Sequence, residues 1–340
     1  MKAEKLNGQA HAAAEARSAE DMFPQIHEDL KEVEVRLRQV VHSRVPLVPE
    51  VYLHTVHAGG KRVRPALALL AARAVGALTP ACFDVAVAVE LIHLASLIHD
   101  DVIDDGGRRR ARLTANRIWG NKSAVLVADY IHSLAYRLLC ERCPLEAVER
   151  LSETVVRMCE GELSQMFNEG SLEVDEPLYY EMIGDKTASL MQLSCELGAL
   201  VVGASAEVRA ELGEYGRKIG LAFQIIDDLL DLTGDEERIG KPVGNDLRCG
   251  RLTLPLIHTL HNGNAAAREE ILPLICRDQV DTSRIKAIRD VLERAGALRY
   301  AADCARRLAD EAREHLAVIP AGEPREALEA LAFYIVARTL

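Results

Sequence analysis

Apolar residues recur at three- and four-residue intervals along most of the chain. That spacing, with almost no strand-like alternation, predicts helices throughout. One amphipathic helix is expected from about Phe23 to Val41, closed by the two prolines of "SRVPLVPEV", and a second is expected to start near Val51. After the glycines of "AGGKRVRP" the alanine-rich "ALALLAARAVGAL" predicts another, stopped at Thr79 and Pro80. Further helices fit residues 82–105, 121–141, 145–170, 176–203, 207–232, 253–261, 282–315 and 324–338. The expected fold class is all-α. No linker or low-complexity tract divides residues 21–340, which reads as a single domain behind a flexible tail over 1–20.

Composition supports this picture. The chain of 340 residues is 49% hydrophobic but only 4% aromatic, which favours helices over β-branched and aromatic strands. A formal charge of -11 argues against a nucleic-acid binder, since phosphate affinity rests on a positive surface. Among eight cysteines the close pair Cys140 and Cys143 has no second pair to complete a zinc site, so reduced thiols are expected. The first 22 residues lack the apolar core of a signal peptide, and Glu90 and His93 interrupt the longest apolar run. A cytoplasmic protein with no membrane span is expected.

Two stretches change the picture from fold to chemistry. "LIHDDVIDD" and "QIIDDLLDL" are each an apolar helix ending in Asp-Asp-x-x-Asp. Positions i and i+4 share a helix face, so Asp100, Asp101 and Asp104 form one carboxylate claw, and Asp227, Asp228 and Asp231 form another. Carboxylates gathered this way repel by about 4 kcal/mol per pair at 4 Å and an effective dielectric near 20, and each opposes the dipole of its helix end. Cations resolve both problems. Oxygen-only ligands point to Mg²⁺, which keeps waters and bridges carboxylates to phosphates, so a polyphosphate substrate follows.

The neighbouring cations then acquire a purpose. Arg109 and Arg110 beside the first claw suit phosphate oxygens, and "GGKRVRP" offers Lys61, Arg62 and Arg64 for a second anionic group. Lys186 and Lys241 are further candidates, whereas His93 and His99 read first as core or packing histidines. Other phosphate devices fail: five residues separate Gly234 from Gly240, and Pro242 stands where a P-loop needs Ser or Thr. There is no G-x-G-x-x-G, and the aspartate spacing is helical rather than that of an EF-hand loop.

From about residue 50 onward the chain resembles the trans-isoprenyl diphosphate synthases. "GGKRVRP" is similar to their isopentenyl diphosphate segment, "ELIHLASLIHDDVIDD" with "RRR" and "TANRIWGN" to their first aspartate-rich region, and "GDKTASL" to their lysine-threonine motif. "GLAFQIIDDLLDLTGDEERIGKPVGNDLRCGRLTLPLI" resembles the second aspartate-rich region. The resemblance implies the isoprenoid synthase helical bundle around a deep cavity. It implies that Asp100, Asp101, Asp104, Asp227, Asp228 and Asp231 hold Mg²⁺, three ions per site, on an allylic diphosphate, with Arg109 and Lys241 assisting. Lys61, Arg64, His93 and Arg110 would hold isopentenyl diphosphate, with Lys186, Thr187 and Gln224 near the developing carbocation. A homodimer is a further implication. Ala111, Ala128 and Arg251 depart from the family pattern without removing a ligand.

In short-chain members of that family the two residues four and five before the first aspartate form the cavity floor, and at least one of them is often aromatic. Here they are Ala95 and Ser96, followed deeper by Leu91, Ile92, Ala88 and Val89. Each helical turn of about 5.4 Å admits roughly one isoprene unit, so a product of heptaprenyl to decaprenyl length is expected, a quinone side-chain precursor. A farnesyl or geranylgeranyl synthase is the alternative, with Trp119 or Phe167 as possible plugs. A terpene cyclase fits less well, because "NDLRCGRLT" has Cys249 and Thr253 where its second metal site needs Ser and Glu. A non-catalytic partner subunit fits less well too, because all six aspartates are present.

Overall fold

Helix boundaries follow local chemistry in this computed structural model, which describes residues 24–109, 112–234, 243–263, 265–275 and 281–337. Helix α1 (His27–Gln39) buries Leu30, Val33 and Leu37, the three- and four-residue spacing of one face. Helix α2 (Leu47–His57) begins four residues before Val51. Pro46 caps it and Pro49 sits in its first turn, where a missing N–H costs nothing, so the prolines open α2 rather than separate it from α1. Helix α3 (Val63–Val75) and helix α4 (Pro80–Ile103) follow, and Pro80 is again at a helix start.

The contacts divide the chain into two units. The first comprises Met1–Thr154, Leu190–Gly216 and His315–Leu331. Helix α4 is its central element, buried along most of its length and packed by α1, α3 and helix α6 (Asn121–Arg142). By length and hydropathy α4 qualifies as a membrane span, against the expectation that Glu90 and His93 would disqualify it, yet 72% of its apolar window is buried in the protein. It is the core helix of this unit. A two-stranded hairpin, β1 (Arg108–Arg109) with β2 (Arg112–Leu113), and the short α5 (Ala115–Trp119) lie between α4 and α6 in the chain.

The second unit comprises Val155–Ser189, Arg217–Glu314 and Ala332–Leu340. It holds helix α8 (Glu176–Ile183) and the C-terminal parts of α7 (Leu145–Phe167) and α10 (Ala206–Thr233), whereas α9 (Ser189–Leu200) belongs almost wholly to the first unit. The helix expected over 176–203 is interrupted by a π-turn at Gly184–Ala188, between α8 and α9. After the short α11 (Asn245–Arg248) come α12 (Leu254–His261), α13 (Ala265–Ile275), α14 (Thr282–Arg294), α15 (Ala297–His315) and α16 (Glu323–Ala337). Leu232, Leu247, Leu256, Ile271, Ile288 and Leu292 share one apolar cluster. The helix expected over 282–315 is two, because Gly296 adopts φ +75° and ends α14 in the left-handed conformation. Helix α13, not expected from the sequence, carries Pro273 in its interior.

Candidate active site

In the first unit, α4 ends at Ile103, so Asp100 and Asp101 stand in its last turn and Asp104 is the residue that caps it. The Asp104 amide donates to the Asp100 carbonyl at 2.8 Å, which keeps the helical register through the claw. Asp100 and Asp101 are half-buried and Asp104 is exposed. Arg109 donates from Nε and one terminal nitrogen to Asp101 Oδ1 at 3.0 and 2.9 Å. Asn116 donates to the Asp101 carbonyl at 2.9 Å, and Thr114 Oγ1 to the Gly106 carbonyl at 2.6 Å, so the turn that follows the claw is tied down from α5. Arg110 lies outside the described residues.

Lys61 and Arg64 are half-buried at the start of α3, and His93 is half-buried on α4. Arg62, between the two cations, is committed elsewhere: its guanidinium is buried against Glu34 and Glu90. Ala95 is 2% exposed and Ser96 half-buried, its hydroxyl donating to the His93 carbonyl at 2.9 Å. Leu91, Ile92, Ala88 and Val89 are buried behind them. Trp119 packs edge-on against His54 with ring centres 5.2 Å apart, and Phe167 is 90% exposed in the second unit.

In the second unit the other claw sits in the last two turns of α10. Asp227 and Asp231 are half-buried and Asp228 is buried. Both Asp228 oxygens are occupied: Tyr179 donates its hydroxyl to Oδ2 at 2.7 Å and Gln224 its amide to Oδ1 at 2.7 Å. Gln224 Oε1 in turn accepts from Thr187 Oγ1 at 2.9 Å. A continuous polar chain therefore runs Thr187, Gln224, Asp228, Tyr179. Burial pushes the Asp228 carboxyl well above the usual carboxylate range and Asp246 adds repulsion, while the two donors pull the other way. Burial beside Asp228 likewise keeps the Tyr179 hydroxyl protonated, so it remains a donor. Asp231 Oδ2 accepts the Asp246 amide at 3.0 Å, which fastens α11 to the end of α10.

Lys186 and Thr187 are carried by the π-turn, a local widening often found at functional sites. The turn is lodged between two glycines. A Cβ on Gly161 of α7 would lie 2.6 Å from the Lys186 amide nitrogen, and one on Gly220 of α10 would lie 2.5 Å from Ala188 Cα. Only bare backbone lets these elements approach so closely. Lys186 Nζ pairs with Glu162 and donates to Gln165 Oε1 at 2.7 Å. A cavity of about 140 Å³ opens here, lined by Lys186, Thr187, Gln224, Asp228, Asp246 and Thr253 among others. Thr253 Oγ1 is buried without a hydrogen-bond partner. Arg251 is buried and pairs with Glu169 at 3.0 Å. Lys241 lies outside the described residues.

The donor set fits a hard divalent cation: each claw offers carboxylate oxygens and neither offers sulfur or imidazole. Among the described residues no three acidic, histidine or cysteine side chains converge into a ready-made cage. Mg²⁺ does not ask for one, since it binds through one or two carboxylates with waters and phosphate oxygens completing the octahedron.

A family model described as polyprenyl synthetase matches residues 45–292 of the chain. The chain belongs to this family. Octaprenyl diphosphate synthase of Escherichia coli (strain K12) is 36% identical over 311 residues, spanning 92% of this chain and 96% of that protein. A short chain isoprenyl diphosphate synthase of Methanothermobacter thermautotrophicus is 37% identical over 311 residues, spanning 89% and 94%. The structure of a polyprenyl synthase from Caulobacter crescentus CB15, complexed with calcium and isoprenyl diphosphate, matches with a TM-score of 0.88 at 36% identity, over 93% of this chain and 96% of that one. Apart from the β1–β2 hairpin the described residues form a helical fold, as expected.

Tyr179, Gln165, Glu162 and Asp246 were not anticipated from the sequence. Tyr179 lies seven residues before Lys186 in "YYEMIGDKT", and nothing local marks it as a partner of an aspartate 49 residues away. Asp246 lies within the stretch that resembles the second aspartate-rich region, but nothing local singles it out there.

Proposed function

We propose that the chain is a Mg²⁺-dependent polyprenyl diphosphate synthase that condenses isopentenyl diphosphate head-to-tail with an allylic diphosphate. The observation that carries this reading is the second claw: an aspartate-rich helix end whose Asp228 is linked through Gln224 to the Lys186–Thr187 turn beside a cavity lined by both polar and apolar side chains. Family membership supports it. In this reading Asp100, Asp101, Asp104, Asp227, Asp228 and Asp231 hold the metal, three ions per site. Bound Mg²⁺ supplies Lewis-acid neutralisation of the departing diphosphate.

The chain's own residues do the rest. Lys186, Arg109 and Lys241 grip diphosphate oxygens as the allylic C–O bond breaks, and Arg109 is already aligned by Asp101. Lys61, Arg64, His93 and Arg110 hold isopentenyl diphosphate so that its alkene carbon attacks the allylic cation. The Thr187 hydroxyl and the Gln224 amide, fixed by their mutual hydrogen bond, present oxygen dipoles to that cation. The new carbon–carbon bond forms, and a proton is lost to the released diphosphate. Apolar walls exclude water from the cation.

The product is longer than geranylgeranyl, in the heptaprenyl to decaprenyl range. Overall identity does not set this length, because octaprenyl and short-chain relatives are equally similar. What supports it is the floor: Ala95 and Ser96, with Leu91, Ile92, Ala88 and Val89 behind them on α4, are all non-aromatic. A homodimer is supported by an apolar stripe on α7, where Val156, Leu163 and Phe167 share one face and are 54%, 63% and 90% exposed. Residues 21–340 act as one catalytic domain, in the cytoplasm. Incubating the purified chain with labelled isopentenyl diphosphate, farnesyl diphosphate and Mg²⁺ tests the activity: transfer of label into lipid is expected, and EDTA should abolish it. No transfer by the chain alone, restored by a second subunit, would favour the non-catalytic alternative.

A further inference from the structure

Among the described non-glycine residues only Arg62 and Asp105 have positive φ, at 47° and 48°. The left-handed conformation is strained for an L-residue, so something must hold Arg62 there. Its guanidinium does so. The side chain is 6% exposed, with Nε on Glu34 of α1, one terminal nitrogen on Glu90 of α4 at 2.7 Å, and the other facing the Val56 carbonyl of α2 at 3.4 Å. One side chain thus ties three helices to the turn that opens α3. Its own carbonyl accepts the first helical bond of α3, from Ala66 at 3.0 Å.

This arrangement is a costly way to gain stability. A buried ion pair roughly breaks even against well-packed apolar residues, and the strained φ adds to the cost. What it does provide is registry: two carboxylates from different helices fix both the direction and the depth of a forked cation. The immediate neighbours of that fixed point in the chain are Lys61 and, two positions on, Arg64.

We infer that Arg62 is a positioning residue for isopentenyl diphosphate, clamped by Glu34 and Glu90 so that Lys61 and Arg64 meet the diphosphate in a set geometry. This rests on the proposed role of Lys61 and Arg64. Arg62 is placed too deep to be a phosphate ligand itself, so its effect is expected on one substrate only.

The test is a comparison of KM for isopentenyl diphosphate, KM for the allylic substrate, and kcat. Glu90→Gln removes one anchor isosterically while leaving Arg62 neutralised by Glu34. The triple variant Arg62→Met, Glu34→Gln, Glu90→Gln removes the clamp without stranding a buried charge. Both should raise KM for isopentenyl diphosphate, the triple variant by about 10-fold or more, with kcat and allylic KM within about 2-fold. Arg62→Lys should fall between wild type and the triple variant, since it keeps the charge but loses the fork. An unchanged KM for isopentenyl diphosphate, or equal shifts in both KM values, overturns the inference. Lys61→Ala separates the two layers: if it leaves that KM unchanged, the substrate assignment falls and the inference with it. If it raises KM while the clamp variants do not, the inference alone falls.

Discussion

The close approach of the π-turn to α10 gives the most demanding prediction. In Gly220→Ala the new methyl would lie 2.5 Å from Ala188 Cα and 2.7 Å from Ala188 Cβ, where ordinary contact begins at 3.4 Å. The turn must retreat by roughly 1 Å, and overpacking of this kind costs about 1–3 kcal/mol. The Thr187–Gln224 hydrogen bond, now 2.9 Å, would stretch beyond hydrogen-bond range and remove about another 1 kcal/mol. Against this, alanine inside a helix gains about 1 kcal/mol over glycine. The balance is a loss of about 1–3 kcal/mol in stability, which thermal unfolding would register as a fall of a few degrees. Activity should suffer more, because misplacing a catalytic group by about 1 Å costs on the order of 100-fold in rate. A Gly220→Ala enzyme with wild-type Tm and kcat would refute the claim that this contact sets the position of Lys186 and Thr187.

Tyr179→Phe removes one of the two donors to Asp228 and should lower kcat by about 10-fold or more while raising the Mg²⁺ concentration needed for half-maximal rate, since a hydrogen bond to a charged group is worth about 1.5–3 kcal/mol. Metal titrations of the rate check this, and an unshifted titration with full kcat would show the hydroxyl to be idle. Ala95→Tyr should shorten the product by at least one isoprene unit, read by mass spectrometry; a wild-type product would remove Ala95 from the floor. Leu163→Glu with Phe167→Glu should convert a dimer to monomer in light scattering by placing two charges on the α7 stripe, and a wild-type mass would locate the interface elsewhere.

Much of this molecule was legible in the sequence where the signal was local. Helical periodicity located α1, α4, α6 and α10, and both claws stand on helix ends as their spacing implied. Breaks within helical sequence were less visible. "GDKTASL" carries ordinary helix formers, and the π-turn there depends on Gly161 and Gly220, which are distant in sequence. The break at Gly296 had a local mark, a glycine in "ERAGAL", that a strong surrounding periodicity concealed. Pro46 and Pro49 look like terminators of α1 in the sequence, but a proline in the first turn equally opens a helix, as they do for α2. Partners of buried polar groups were not legible at all: Arg62 meets glutamates 28 residues away on either side, and Asp228 meets a tyrosine 49 residues away.

The proposed synthase elongates an allylic diphosphate beyond geranylgeranyl. The most direct measurement is the mass distribution of prenyl products from the purified chain, farnesyl diphosphate, excess isopentenyl diphosphate and Mg²⁺. A ladder ending between heptaprenyl and decaprenyl is the predicted result. Products that stop at geranylgeranyl would contradict the open floor at Ala95 and Ser96.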